Sequence, residues 1–114
     1  MSMLERKTQP AICPFCGQEI APPRSFDDFL FEFDGGECSC GAVYGMDPTS
    51  RNGGTVIMQA MAQACKGDWD MAQSLRPETD YQEGIILRYS PLTHRVNAPG
   101  AFGTIYFIRL ISKK

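Results

Sequence analysis

This 114-residue sequence lacks long hydrophobic runs and has a single histidine. No apolar stretch approaches the roughly 18 residues that a membrane-spanning helix needs. The first ten residues, MSMLERKTQP, are charged and are not followed by an apolar core, so they lack the pattern of a secretory signal. These absences predict a cytoplasmic protein without a membrane partner. The histidine, His94, has no evident nucleophile or acid partner, and no catalytic constellation is found.

An excess of positive charge is also missing. The net charge is −2, and it is unevenly spread. Residues 1–50 carry three Lys/Arg and eight Asp/Glu, whereas residues 51–114 carry eight Lys/Arg and five Asp/Glu. Because nucleic-acid affinity depends first on positive charge, any such binding is expected from residues 51–114.

What is present fits a folded soluble protein. A hydrophobic content of 43% with 21% charged residues argues against disorder. The length suits one ordinary domain, or a small module joined to a slightly larger one. A chain this short buries a modest share of its surface, so an internal staple would help it to fold.

Four of the five cysteines form two tight pairs. Two residues separate the first pair, one residue separates the second, and 21 residues lie between the pairs, which are Cys13/Cys16 and Cys38/Cys40. A close pair can wrap one side of a metal in a single turn. Two such turns supply four thiolates in a tetrahedron, which suits zinc. Gly17 and Gly41 each follow a pair and can take the positive φ that such a turn requires.

The four thiols have two alternative uses, as two disulfides or as a redox pair. Two disulfides would need an oxidising compartment, which the absence of an export signal does not predict. A redox C-x-x-C normally opens a helix after a strand, and no helical pattern follows Cys16. Structural zinc is therefore favoured.

The motifs Cys-Pro-Phe-Cys-Gly and Cys-Ser-Cys-Gly resemble the two knuckles of the zinc-ribbon class, over residues 11–46. The resemblance implies two β-hairpins, each tipped by a cysteine pair, and one structural zinc ion per chain held by Cys13, Cys16, Cys38 and Cys40. The one-residue gap of the second pair departs from the commoner two-residue knuckle. Ribbons occur in transcription, translation and enzyme accessory parts, so the class does not fix a function.

The flanks of the second pair read as strands. Phe29, Phe31 and Phe33 alternate with other residues and predict a strand with an aromatic face. Gly35-Gly36 is read as the end of that strand, and Ala42–Tyr44 as the return strand.

The remainder predicts two helices and two strands. Ile57, Met61 and Cys65 share one face of the first helix, which Gly67 would end. Asp68 is the expected N-cap of a short helix over Trp69–Leu75. Residues 85–89 and 104–111 are rich in β-forming side chains.

The predicted fold class is therefore α+β, with an N-terminal zinc ribbon of two hairpins joined to two short helices and a C-terminal antiparallel hairpin. The predicted division is a flexible N-terminus over residues 1–10, the ribbon over 11–46, and a small α+β part over 47–114 packed with the ribbon as one unit.

Three further features are considered as candidate sites: the loop before the first helix, a set of arginines interleaved with aromatic residues, and His94. The loop before the first helix is a possible anion or phosphate site, formed by Arg51, Asn52, Gly53, Gly54 and Thr55. It lacks the Lys-Ser/Thr of a P-loop. An alternative interpretation is a loop that turns the chain and caps the first helix. Possible nucleic-acid contacts are Arg88, Arg95 and Arg109, interleaved with Tyr89, Phe102, Tyr106 and Phe107. The same aromatic rings are what a small β core would bury.

We interpret His94 as an ordinary surface histidine. We interpret Cys65 as a buried thiol that is not one of the metal ligands. The favoured function is a zinc-binding adaptor module whose partner is another protein. One alternative is a nucleic-acid-binding module using the C-terminal hairpin. The other is a small enzyme that uses Arg51 and His94 on an anionic small molecule. The oligomeric state is not predicted.

Overall fold

The structure, a computed structural model, describes residues 8–26, 33–49, 51 and 53–111. These residues form a curled, seven-stranded antiparallel sheet with two helices, so the predicted mixed α+β class is confirmed. The strands lie in the order β1-β6-β5-β7-β4-β3-β2. The elements are β1 Gln9–Pro10, β2 Arg24–Phe26, β3 Phe33–Glu37, β4 Val43–Asp47, α1 Gly53–Ala64, α2 Trp69–Ser74, β5 Tyr81–Ser90, β6 Arg95–Val96 and β7 Gly103–Leu110.

The sheet is continuous from the second cysteine pair to the C-terminal strands. β4 pairs with β7, with Tyr44 opposite Phe107, and β7 pairs with β5 on its other side. β5 and β7 are the two strands expected at the C-terminus, and β6 adds a short strand to the outer edge of β5. The β5–β7 register shifts between Ile86 and Tyr89, at a bulge where Arg88 has a φ of 58°.

Each face of the sheet carries its own hydrophobic core, because side chains alternate along the strands. One core joins the first cysteine turn to the strands and contains Ala11, Cys13, Ile20, Ala42, Tyr44, Met46, Tyr89, Ile105 and Phe107. The other lies under the helices and contains Val43, Ala60, Met61, Cys65, Ala72, Tyr81 and Ile108. The sheet is thus a middle layer between the helices and the cysteine turn.

Gly35 and Gly36 lie within β3, so the interpretation that they end the strand is wrong. Gly36 pairs with Tyr44, and a Cβ there would lie 2.5 Å from the Tyr44 hydroxyl oxygen. The glycine leaves room for this ring, which is buried and donates its hydroxyl to the Ala21 carbonyl at 2.7 Å. A long-range contact therefore explains a residue type that is usually unfavourable in strands.

The N-terminus of α2 and the C-terminus of α1 are each capped by residues next to them in the sequence. Asp68 is the N-cap of α2 and accepts from the Met71 N–H at 2.9 Å, as predicted. α1 ends at Ala64, two residues before the left-handed pair Lys66 and Gly67, with φ of 58° and 89°. The Lys66 N–H donates to the Gln63 carbonyl and the Gly67 N–H to the Ala62 carbonyl, which is the Schellman pattern of helix termination.

The N-terminal region is partly ordered in the sheet. Gln9 and Pro10, assigned by sequence to a flexible N-terminus, form β1 against β6. Phe29 and Phe31 of the predicted aromatic strand lie outside the described residues. The domain boundaries at residues 10/11 and 46/47 stay a prediction. No helix among the described residues is long and apolar enough to cross a membrane.

Candidate metal centre

Each cysteine pair sits in a tight backbone turn. In the first turn the Gly17 N–H donates to the Cys13 carbonyl at 2.9 Å, and an antiparallel bridge joins Ile12 to Glu19. In the second the Gly41 N–H donates to the Cys38 carbonyl, also at 2.9 Å. Gly17 and Gly41 have φ of 80° and 98°, which confirms the positive φ expected after each pair.

The two turns bring four sulfur atoms together. The Sγ atoms of Cys13, Cys16, Cys38 and Cys40 all lie within 4.8 Å of one another. The Cys13–Cys40 distance is 3.8 Å and the Cys16–Cys38 distance is 3.5 Å. Four sulfurs placed about 2.3 Å from a central zinc ion have tetrahedral edges of about 3.8 Å. The four thiols are therefore spaced as ligands of a metal ion such as zinc, and none of the five cysteines forms a disulfide.

The cluster lies at the border between core and solvent. Cys13 is 1% exposed, Cys38 and Cys40 are half-buried, and Cys16 is exposed. Phe15, between the first two cysteines, packs edge-on against Phe107 with ring centroids 6.4 Å apart. One side of the cluster is thus built into the core of the sheet, while the other meets water.

Two close contacts seat the first turn on the sheet. A Cβ at Gly84 in β5 would lie 2.5 Å from the Pro14 ring, so the glycine permits the turn to approach the strand. The Arg109 guanidinium lies 5.3 Å from the centre of the Phe15 ring, a cation–π distance. The turns are also tied to each other, since the Ser39 hydroxyl donates to Gln18 Oε1 at 2.9 Å.

The thiols differ in acidity. Desolvation raises the pKa of the Cys13 thiol to about 12, more than the backbone N–H of Phe15 lowers it. Desolvation also acts on Cys40, but the Ala42 N–H and the neighbouring thiols outweigh it and lower the pKa of Cys40 to about 7. Binding of a divalent cation would replace the thiol protons, because thiolates are the ligating form.

His94 contacts two residues of the core that lies beside the first cysteine turn, and it is not an ordinary surface residue. It is half-buried, with Nε2 2.8 Å from the Ile20 carbonyl and Nδ1 2.7 Å from the Tyr89 hydroxyl. A carbonyl only accepts, so Nε2 carries a proton, and in the neutral imidazole Nδ1 then accepts from the Tyr89 hydroxyl. His94 thus ties the segment after the first turn to β5. The interpretation of His94 as an ordinary surface histidine is therefore wrong. The contact with Ile20 spans 74 residues of sequence, so the sequence around His94 does not reveal it.

The loop before α1, which carries Arg51, does not contact His94 in the described part of the chain. The exposed Arg51 donates its backbone N–H to Thr49 Oγ1 at 3.2 Å, and Asn52 lies outside the described residues. Gly53 begins α1, where a Cβ would collide with the Tyr106 hydroxyl, and Gly54 and Thr55 continue the helix. Within the described part of the chain, no contact links Arg51 to His94. The predicted enzyme site is therefore not assembled by direct contact.

The three candidate nucleic-acid arginines have different surroundings. Arg95 donates from Nε and a terminal nitrogen to Thr8, both at 3.0 Å, and Arg109 covers Phe15. Arg88 is exposed at the β5 bulge. Among the interleaved aromatics, Tyr89 and Phe107 are fully buried and Phe102 is 72% exposed. Two of the four aromatic rings of the predicted stacking surface are thus buried in the core, and Tyr106 is half-buried.

Cys65 is buried in the core under the helices, apart from the cluster. Burial raises the pKa of its thiol, and nearby Asp68 adds to the shift. Its backbone N–H continues the helical pattern by donating to the Met61 carbonyl at 3.0 Å.

Comparison of the chain with models of protein families, with curated proteins and with solved structures gives no match. Its function is therefore inferred from its own residues, and above all from the cysteine cluster.

Proposed function

We propose that residues 11–46 form a zinc ribbon in which the four clustered cysteines hold one structural zinc ion. The observation that carries this proposal is the set of four Sγ atoms within 4.8 Å of one another, contributed by two separate turns. Four thiolates leave no open position for substrate or water, which is typical of structural and not of catalytic zinc.

The metal would complete the hydrophobic core that lies between the sheet and the first cysteine turn. Cys13 belongs to that core, and Cys38 and Cys40 pack against it. Apart from the cysteines, the described residues join the two turns through the Ser39–Gln18 hydrogen bond. Zinc binding then contributes folding free energy directly, because the unfolded chain has no preformed site.

Native mass spectrometry of the protein purified without added metal tests this proposal. The expected result is one zinc ion per chain, retained in neutral buffer and lost after denaturation with a chelator. A metal-free, folded chain would contradict it, as would a chain lighter by four hydrogens, which two disulfides would produce. A bound iron ion would keep the site but overturn the choice of metal.

The proposed role of the zinc-stabilised module is to bind another protein. Support comes from a surface at the bulged end of β5 formed by Leu87, Arg88 and Phe102. Leu87 is 58% exposed and Phe102 72% exposed, and together with Arg88 they line a cavity of 540 Å³. Among the described residues, the Arg88 side chain has no acidic partner. The fitting partner is a protein segment that presents apolar and acidic side chains.

Selection from a random peptide display library tests the chemistry of this surface. We expect enriched peptides to combine an apolar residue with Asp or Glu. Binding should fall about tenfold or more in Phe102→Ser, and Arg88→Glu should reverse the preference for acidic residues. Arg51→Glu, at another exposed arginine, is the matched control. Enrichment of basic peptides, or equal binding by all variants, would contradict this part of the proposal.

A further inference from the structure

A second cavity lies at the end of the sheet beside the second cysteine turn. It has a volume of 680 Å³ and is bounded by Cys40 and Gly41 of the turn, the end of α1, and the end of β7. Its size suits a small organic molecule. It shares no lining residue with the cavity at Leu87, Arg88 and Phe102.

One part of the lining is cationic. Lys66 and Arg109 both line the cavity. Lys66 follows α1 in a left-handed conformation that is uncommon for a residue other than glycine, asparagine or aspartate. Within the described chain its ammonium makes no ion pair, so it is available to a carboxylate. Arg109 is held in place by its contact with the Phe15 ring.

Another part of the lining offers acceptors. Glu37 projects from the end of β3, and its carboxylate has no hydrogen-bond partner among the described residues. Gln63 also lines the cavity, and its buried Oε1 has no hydrogen-bond partner among the described residues. Ala64 brings the C-terminal end of α1 to the same cavity, and the negative end of the helix dipole favours a cation.

Cationic donors and anionic acceptors thus line one cavity. We propose that this cavity, here called the end cavity, binds a small zwitterion that carries both a carboxylate and an ammonium, the chemistry of a free amino acid or a dipeptide. Lys66 and Arg109 receive the carboxylate, while Glu37 receives the ammonium. Gln82, which lies opposite Arg109 across β5 and β7, can donate to one end or accept from the other.

Isothermal titration calorimetry on the full chain, with its metal content measured first, tests the end cavity. The probes are the twenty L-amino acids and a set of dipeptides. At least one should bind with a Kd of about 1 mM or tighter, as expected for a ligand of some ten heavy atoms. Its N-acetylated and C-amidated forms should each bind about tenfold or more weakly, because each loses a charged hydrogen-bonding end.

Variants locate the binding. Lys66→Ala and Glu37→Gln should each weaken it about tenfold or more, whereas Arg51→Ala, just before the N-terminal end of α1, should leave it unchanged. Circular dichroism checks that each variant is folded. Absence of binding by every probe would overturn the proposal, as would equal binding of the blocked forms. Either failure leaves the zinc content unaffected, so it is distinguishable from failure of the metal proposal.

Discussion

Replacing Cys13 by Ser is expected to abolish stoichiometric zinc binding and to lower the free energy of unfolding by about 3 kcal/mol or more. The substitution removes one of four ligands and also changes a side chain that is 1% exposed in the core. The measurement is zinc content by native mass spectrometry together with urea unfolding. A domain of this size is marginally stable, so a loss of this magnitude leaves a substantial unfolded fraction.

Two matched cysteine variants separate ligand loss from core damage. Cys16 is an exposed member of the cluster, so Cys16→Ser removes a ligand and little packing. It should lose zinc and most of the same stability. Cys65 is buried outside the cluster, and Cys65→Ser should keep one zinc per chain while destabilising the protein by about 1–3 kcal/mol. Zinc retention by Cys16→Ser, or zinc loss by Cys65→Ser alone, would refute the assignment of the ligands.

The second large effect is expected at His94. Replacing it by Ala removes the acceptor of the Tyr89 hydroxyl and the donor to the Ile20 carbonyl. Tyr89 is fully buried behind the half-buried His94, so water that enters the vacated space replaces only part of the lost hydrogen bonding. We expect a loss of about 2–4 kcal/mol in urea unfolding, since each unsatisfied buried group costs about 1–3 kcal/mol.

A double-mutant cycle with Tyr89→Phe isolates this interaction. The two substitutions should be less costly together than their sum, with a coupling energy of about 0.5–3 kcal/mol. The cycle also cancels the backbone effect of replacing a residue whose φ is 57°. Additive effects would show that the Tyr89–His94 hydrogen bond contributes nothing, and that His94 acts only through its backbone or its contact with Ile20.

Features with a local cause could be predicted from the sequence. The spacing of each cysteine pair and the glycine after it specify a turn whose conformation depends on a few neighbouring residues. The N-cap at Asp68 likewise depends only on the next turn of helix. The strand regions within residues 85–89 and 104–111 follow from β-branched and aromatic content.

Features that depend on residues distant in the sequence could not be predicted. Gly36 looks like a strand breaker until Tyr44 is known to need its space, and His94 looks solvent-exposed until Ile20 is brought beside it. The same applies to β1 and β6, which are two residues long and exist as strands only because neighbours pair with them. No periodicity in so short a segment can reveal a strand.

The position of β7 in the sheet constrains when the protein can fold during synthesis. β7 is the last strand along the described chain, yet it lies between β5 and β4 at the centre of the sheet. Ile105 and Phe107 supply one core and Ile108 the other, so neither core is complete before β7 leaves the ribosome. Until then the first cysteine turn lacks Phe107, against which its Phe15 ring packs. Nascent chains should therefore expose four reactive thiols to oxidants and stray metals, and acquire the compact state only once β7 has emerged.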